Sequence, residues 1–309
     1  NINDCKLHSA VMPILEKEGK IDVFAAQYSG AIWYPTCYQM SETEYKKISM
    51  DRKRVKLELT SRTIEKINPS VFLPSAGPPC FLDPLLIDKN FELVNIFPRA
   101  PECIDFLNER CQAKATQWPD IMPGDCLDVG TLQFVKYAKQ RVKDEAFKAY
   151  VKDYAEKYKD FFYQCSLENQ QVDPQGVFQQ LGKSLQHKLD QVTQSHDDIE
   201  VQLYWKLTDY DEMYCVNFQK KTIEIVSSIE TSKPYWLIES PAWQVNKIFE
   251  KRLSWPDFAL TFRMKITREP NCYNTFVHGF ITLEATALKR FSQLLMDYQL
   301  NHYSILQIY

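Results

Sequence analysis

Two short apolar runs, each followed at once by a loop of small residues, lie on either side of a long helical segment near the start of the chain. The runs are 21–26 (IDVFAA) and 70–74 (SVFLP), which have the length and composition of buried strands. Between them, Ser41 followed by Glu44 forms a capping box that opens a helix, and charged residues continue beyond it at helical spacing. A further helix is expected at 10–18, and this order of strands and helices predicts a layered α/β fold.

The remainder of the chain predicts a connector and then a second, α+β region. Apolar residues recur at three- and four-residue spacing from Phe134 to Tyr158, which is the pattern of an amphipathic helix. Pro174 directly after Asp173 indicates a helix start. Alternating apolar residues then predict strands, at 201–207, 214–218, 223–225 and 235–240. We therefore expect four parts: 1–101, a loop and helical connector at 102–170, an α+β domain at 171–300, and the start of a further segment at 301–309.

Charge and hydropathy exclude some classes of protein. The chain has 37 Lys and Arg against 40 Asp and Glu, a net charge of −3, whereas a general nucleic-acid binder carries a basic excess. No apolar run approaches the roughly 18–20 residues that span a bilayer, and no secretory signal is visible. The chain opens on a strand end and closes on the apolar segment 304–309, so we expect an interior piece of a longer polypeptide.

Cysteine and histidine spacing argues against most self-contained sites. The nine cysteines include no Cys-x-x-Cys, which favours reduced, mostly buried thiols and a cytoplasmic location. No His-x-His or His-Glu-x-x-His pair suggests zinc, and no Cys-x-His with a later Cys-x-x-His encodes a Rieske cluster. Glycine-rich phosphate loops and Gly-x-Ser-x-Gly are also absent. On motifs alone, these 309 residues lack a complete active site.

Five strings of residues, in order, carry a resemblance to one protein family. They are Asn1 to Cys5, Gln27 to Ala31 with Tyr34-Pro35, Leu73 to Pro78, Thr116 to Gly130, and Leu253 to Asn274. Together they resemble the CMP-N-acetylneuraminate hydroxylase-like family, in which a metallo-β-lactamase fold is linked to a Rieske [2Fe–2S] module. The match covers most of the chain. The resemblance implies that 1–101 is the C-terminal half of the lactamase-type fold, followed by the connector and the smaller domain.

The resemblance also implies cofactors and partners. A His-rich metal motif would precede Asn1, and the Rieske module would lie outside these residues, as part of the protein or as an electron-transfer partner. A divalent metal, iron or zinc, would be bound with the help of Asp4, and His8 would reach the same site. The sequence departs from the family where the last histidine ligand would fall, because Ser75 to Cys80 contains no histidine.

Each candidate site residue has a plainer alternative. Asp4 could cap a turn, and His8 could lie at the surface. Cys5 and Cys80 could supply thiolates, and Cys80 belongs to the loop from Ser75 that would shape the substrate pocket, or both could be inert thiols. Small-residue loops after the two apolar strands could bind a phosphate or carboxylate of the substrate through backbone N–H groups, or could be tight turns: Ser29 and Gly30, then Ser75 and Gly77. Arg263 and Arg268 could bind such anions bidentately, or could form ion pairs with Asp257 or Glu269.

Three functions follow from these alternatives. The first is part of a Rieske-linked, iron-dependent monooxygenase-like oxidoreductase that acts on a small polar substrate, such as a nucleotide sugar. The second is a metal-dependent hydrolase of the metallo-β-lactamase fold, in which a metal-bound water is the nucleophile. The third is a ligand-binding or scaffold protein without catalysis, which the missing histidine favours.

Overall fold

The chain divides into two compact units. The computed structural model describes residues 1–3, 8–30, 32–136, 144–192 and 199–301. The first unit contains Asn1–Pro35 and Glu42–Asp160, and the second contains Thr36–Ser41 and Phe161–Tyr309. The division at residue 160 falls inside the stretch predicted as a connector, 102–170. The four-part organisation predicted from the sequence stays a prediction.

The first unit is built on a parallel pair of strands. Its elements are, in order, α1 (His8–Lys17), β1 (Val23–Gln27), α2 (Glu42–Ile67), β2 (Val71–Ser75), α3 (Ala100–Arg110), β3 (Asp125–Asp128), β4 (Gln133–Lys136) and α4 (Phe147–Glu156). Strands β1 and β2 pair from Val23 opposite Val71 to Gln27 opposite Ser75. Extended backbone continues the pairing on both sides, since the N–H of Ile2 bonds to β1 and Gln117 bonds to β2. The predicted strands and the helix between them are confirmed.

The core of the first unit lies between this sheet and the helices. Phe24 and Phe72 have ring centres 5.8 Å apart, and both are buried with Ile64 of α2 and Leu107 of α3. Helix α2 exposes most of its charged side chains and adds ion pairs at i,i+4 spacing, such as Arg54 with Glu58 at 2.9 Å. Burial of the apolar stripe therefore fixes the helix on the sheet, while the ion pairs add a few tenths of a kcal/mol.

The helix predicted from Phe134 to Tyr158 is wrong at its beginning. Phe134 belongs to β4, which pairs antiparallel with β3, and α4 begins only at Phe147. Between the strands, the carboxylate of Asp128 accepts hydrogen bonds from the N–H groups of Gly130 and Thr131, both at 2.9 Å. This local turn chemistry reverses the chain and overrides the helical spacing.

The second unit contains a five-stranded mixed sheet in the order β7-β6-β5-β8-β9. Its elements are α5 (Lys159–Gln170, whose first two residues belong to the first unit), α6 (Pro174–Gln191), β5 (Gln202–Leu207), β6 (Met213–Asn217), β7 (Thr222–Val226), β8 (Tyr235–Ser240), α7 (Ala242–Phe249), α8 (Trp255–Leu260), β9 (Lys265–Glu269), α9 (Thr275–Thr282) and α10 (Ala285–Asn301). Within this sheet β5 and β8 pair in parallel, and the other three pairs of neighbouring strands are antiparallel. Backbone bonds from Cys37 and Gln39 to Ile266 extend the edge beyond β9.

Helix α6 begins where the sequence predicts. Asp173 accepts hydrogen bonds from the N–H groups of Gln175 and Gly176 at 3.1 and 3.0 Å, as a capping residue does. The helix packs on the sheet through Phe178, whose ring stacks on Tyr214 at 4.1 Å. The mixed α/β class is confirmed. The prediction of mostly buried cysteines is wrong, because only three of the eight described thiols are buried, namely Cys37, Cys103 and Cys111.

Within the described ranges, none of the helices combines the length and the apolar character needed to cross a membrane.

Candidate functional site

The first candidate site lies at the carboxyl edge of β1 and β2. Because the strands are parallel and Gln27 is opposite Ser75, the loops that follow them leave the same edge of the sheet. Ligands of α/β proteins commonly bind at this edge. Four residues predicted to bind substrate lie in these loops, and the structure brings the two loops together. Ser29 and Gly30 follow β1, Ser75 is the last residue of β2, and Gly77 follows it.

Tyr28 joins the two loops. Its hydroxyl lies over Gly77, where the Cβ of any other residue would fall 2.8 Å from the hydroxyl oxygen. Burial raises the pKa of the Tyr28 hydroxyl, and the nearby Cys103 and Asp120 raise it further. Burial also raises the pKa of the Cys103 thiol to about 12. Both groups are therefore neutral at physiological pH, and Tyr28 keeps a proton that it can donate.

Ser29 is fully buried beside Tyr28. Its hydroxyl oxygen has no hydrogen-bond partner in the part of the chain that the structure describes. A buried hydroxyl without a partner costs roughly 1–3 kcal/mol, so such a group calls for an explanation. Gly30, the next residue, has open space where a Cβ would stand. The loop thus combines an unsatisfied polar atom with free space beside the following residue.

The other candidates of this unit differ in their surroundings. The hydroxyl of Ser75 donates to the side-chain oxygen of Asn3 at 2.7 Å, which ties the segment 1–3 to the end of β2. Cys80 is exposed. Asp4 and Cys5 lie outside the described residues, as does the side chain of His8. Their predicted roles as metal ligands or thiolates stay predictions.

Arg268 lies in the second unit, on β9. Its guanidinium donates to the side-chain oxygen of Asn271 at 2.6 and 3.1 Å. It also stacks on aromatic rings, 4.5 Å from the ring centre of Tyr38 and 5.2 Å from that of Trp236. Burial and the charge of Arg268 lower the pKa of His278, which favours a neutral imidazole. Arg268 is thus embedded in aromatic packing, with a neutral amide as one partner.

Arg263 precedes β9 and packs near a different aromatic residue. It donates to the carbonyl oxygen of Thr261 at 3.2 Å, and its guanidinium carbon is 5.7 Å from the ring centre of Trp243. The ammonium of Lys247 lies 4.7 Å from the same ring centre. The proposed ion-pair partner Asp257 accepts a hydrogen bond from the hydroxyl of Ser254 at 2.6 Å, and Ser254 caps α8 by accepting the N–H of Asp257. The sequence analysis missed Lys247, although it follows Trp243 by one helical turn.

Lys188 is a second residue that the sequence analysis missed. It is fully buried and donates to the carbonyl oxygens of Phe280 and Ile281 at the end of α9, at 2.9 and 3.3 Å. Its ammonium also lies 3.7 Å from a ring centre of Trp255. Lys188 follows Leu181 by seven residues, so its position on the apolar face of α6 was visible as helical spacing. The arrangement is that of a cation that caps a helix C-terminus.

Comparison with known proteins points to one kind of protein. The chain is similar to mycobacterial proteins named for Rieske clusters. It is 37% identical over 102 residues to a "Putative Rieske 2Fe-2S iron-sulfur protein" of Mycolicibacterium smegmatis, covering 32% of this chain and 19% of that protein. It is 30% identical over 168 residues to the protein of the same description in Mycobacterium tuberculosis, covering 51% and 32%.

The chain thus spans between a fifth and a third of the length of these relatives. No protein-family model matches it, and no solved structure matches it.

The described residues do not fit a Rieske cluster or a metal centre. Among them, no three His, Cys, Asp or Glu side chains are grouped so that they could share a metal ion. A Rieske cluster takes two cysteines and two histidines. Cys5 and His8 have Cys-x-x-His spacing, but a Cys-x-His occurs nowhere in the 309 residues. The ligand pattern is therefore incomplete in this sequence.

Proposed function

We propose that this chain is the substrate-binding part of a Rieske-linked oxidoreductase, and that residues outside this sequence hold the [2Fe–2S] cluster. One observation carries the proposal. Half of the chain is similar to a protein named for a Rieske cluster, while the sequence lacks the Cys-x-His half of the ligand pattern. A cluster of this kind passes single electrons to a second centre or to a partner protein.

The carboxyl edge of β1 and β2 supports a binding role for this chain. Tyr28 supplies a neutral hydroxyl, and Ser29 supplies a buried hydroxyl without a partner among the described residues. Backbone N–H groups of the Gly30 and Gly77 loops would complete a site for a polar group of a small substrate. In this proposal the loops orient the substrate and keep water from it.

The finer family proposal extends this role. A parallel strand pair whose loops share one edge is compatible with the second half of a metallo-β-lactamase-like fold. In that fold, Asp4 and His8 would help to hold an iron or zinc ion, and the reaction would be hydroxylation of a small polar molecule such as a nucleotide sugar. Replacing Asp4 by Asn would then lower the iron or zinc content of the purified protein, with the exposed Asp22→Asn as the matched control.

The test of the main proposal is the cluster itself. We would purify the polypeptide as its organism makes it, together with the 309-residue chain alone, and measure iron, acid-labile sulfide and the electron paramagnetic resonance of the reduced samples. The proposal expects a Rieske signal from the native polypeptide or its stable complex and none from the 309 residues alone.

Two results would overturn it. The first is a Rieske signal from the 309-residue chain alone, because the cluster ligands would then lie within this sequence. The second is a native preparation without iron and sulfide. If that preparation also showed metal-dependent hydrolysis, the hydrolase alternative would replace the oxidoreductase.

A further inference from the structure

A cleft in the second unit has the properties of a ligand site. It contains none of the residues on which the proposed function rests. It lies between the end of α5, the start of α6 and helix α7, and its volume is about 430 Å³. Small-molecule sites commonly measure about 300–1,000 Å³. One wall is the half-buried ring of Trp243, and Lys247 stands one helical turn further along the same wall.

The carboxylates that line the cleft are already engaged. Asp173 accepts the N–H groups of Gln175 and Gly176 and thereby caps α6. Glu168 and Glu250 both contact the guanidinium of Arg252, each at 3.6 Å. Arg252 thus balances one of these two glutamate charges, and among the described residues none of the three carboxylates forms an ion pair with the remaining cation.

That cation is Lys247. The residue is half-buried, and no carboxylate among the described residues lies within 4 Å of its ammonium. Burial and the positive charges of Arg263 and Arg252 lower the pKa of Lys247, while Cys165 and Glu168 act in the opposite direction. Two cations thus converge on Trp243, with Lys247 at 4.7 Å and Arg263 at 5.7 Å from its ring centre. Such an arrangement gains free energy when an anion enters.

We propose that this cleft binds the oxyanion of a small molecule, a phosphate or a carboxylate, with Lys247 as the charged contact and Trp243 as the apolar wall. The charge of Arg263, whose guanidinium carbon is 5.7 Å from the centre of the same ring, strengthens the attraction, and the exposed amide of Gln180 offers further hydrogen bonds to the ligand. This inference is independent of the oxidoreductase proposal, because it needs neither a cluster nor a metal ion.

The experiment titrates the full chain with two probes, inorganic phosphate and acetate, at constant ionic strength maintained with chloride. Binding is followed by calorimetry and by tryptophan fluorescence. We expect saturation by at least one probe, and the probe that saturates identifies the class of oxyanion. Lys247→Gln should bind that probe about tenfold more weakly or worse.

Matched variants make the result specific. Lys183→Gln removes an exposed lysine of α6 that does not line the cleft, and it should bind as the wild type does. Trp243→Phe should lose the fluorescence change while calorimetry still detects the anion. Circular dichroism and the unfolding midpoint establish that each variant is folded. The proposal is overturned if neither probe saturates the folded wild type, or if folded Lys247→Gln binds as tightly as Lys183→Gln.

Discussion

Position 77 is kept small by a hydroxyl group from another loop. The Tyr28 oxygen lies 2.8 Å from where a Cβ of residue 77 would stand, and Tyr28 is buried and has little room to move. We expect Gly77→Ala to lower the free energy of unfolding by about 1–3 kcal/mol, because overpacking forces the ring or the loop to shift.

Urea denaturation measures this effect, and Gly30→Ala is the control. Position 30 has open space within 4 Å, so its substitution should change stability by about 0.5 kcal/mol or less. Equal effects of the two substitutions would mean that the contact between Tyr28 and Gly77 does not restrain the loops.

Lys188 makes stability depend on pH in a direction that can be checked. Burial lowers the pKa of its ammonium well below the ordinary value, and the charge of Glu284 offsets this only in part. The unfolded chain keeps this proton up to about pH 10.4, whereas the folded chain releases it at lower pH. Between these two values the unfolded state binds more protons, so the contribution of Lys188 to stability grows as pH rises.

We therefore expect the wild type to gain stability relative to Lys188→Met as pH is raised towards 10, by up to about 1.4 kcal/mol per pH unit within that window. Chemical denaturation at several pH values gives the two curves. Lys183→Met, on an exposed face of the same helix, should run parallel to the wild type. If the curve of Lys188→Met ran parallel to that of the wild type, the Lys188 ammonium would hold its proton equally in the folded and unfolded states.

At the level of elements, α6 tolerates a glycine in its interior because a ring occupies the place of a side chain. A Cβ at Gly182 would collide with the ring and hydroxyl of Tyr214, which stacks on Phe178 of the same helix. Alanine is about 1 kcal/mol better than glycine inside a helix by propensity alone. Close packing on the sheet outweighs this preference.

Gly182→Ala should thus lower the midpoint of thermal unfolding despite the gain in helix propensity, with a loss of about 1–3 kcal/mol. In a Tyr214→Leu background the same substitution should instead stabilise the protein by up to about 1 kcal/mol, the gain in helix propensity, and the double-mutant cycle isolates the contact. Additive effects in the cycle would place the cause of the loss elsewhere.

The elements predicted correctly from the sequence have a regular spacing of apolar residues or a recognisable helix-capping residue. Asp173-Pro174 and the apolar stripe of α6 act locally, so the helix start was predictable. The hairpin of β3 and β4 was not, because its strands are four residues long and half-exposed, and spacing after Phe134 imitates a helix. The turn at Asp128 decided the outcome, and its hydrogen bonds are visible only in three dimensions.

On the scale of the whole molecule, the short segment Thr36–Ser41 pairs with the edge of the five-stranded sheet, whose strands lie much further along the sequence. Tyr38 is buried in the second unit, its ring meets Trp236 edge-on at 6.4 Å, and Arg268 stacks on it. Tyr38→Ala should destabilise this unit by about 3–5 kcal/mol. Hydrogen exchange should then accelerate at the amides of β8 and β9. Tyr150→Ala, a change at an exposed ring, is the control, and unchanged exchange at β9 in Tyr38→Ala would contradict the expectation.

The candidate site, like the fold, could be predicted from the sequence only in part. Parallel strands implied that the loops after β1 and β2 meet, because that follows from chain direction alone. The Tyr28 hydroxyl over Gly77 and the pairing of Lys247 with Trp243 depend on side-chain packing. Spacing in the sequence places such residues on a face or at a strand end, but it does not select their partners.

The position of the segment Thr36–Ser41 in the sequence also affects how the protein folds during translation. The thiol of Cys37 meets the carbonyl of Ala259, 222 residues further along the chain, and the neighbouring backbone bonds to Ile266. At about 5–20 residues per second, translation separates these partners by roughly 10–45 s. Cys37 to Gln39 are therefore synthesised well before the strand with which they pair, and a nascent chain that stalls before β9 cannot complete this edge of the five-stranded sheet.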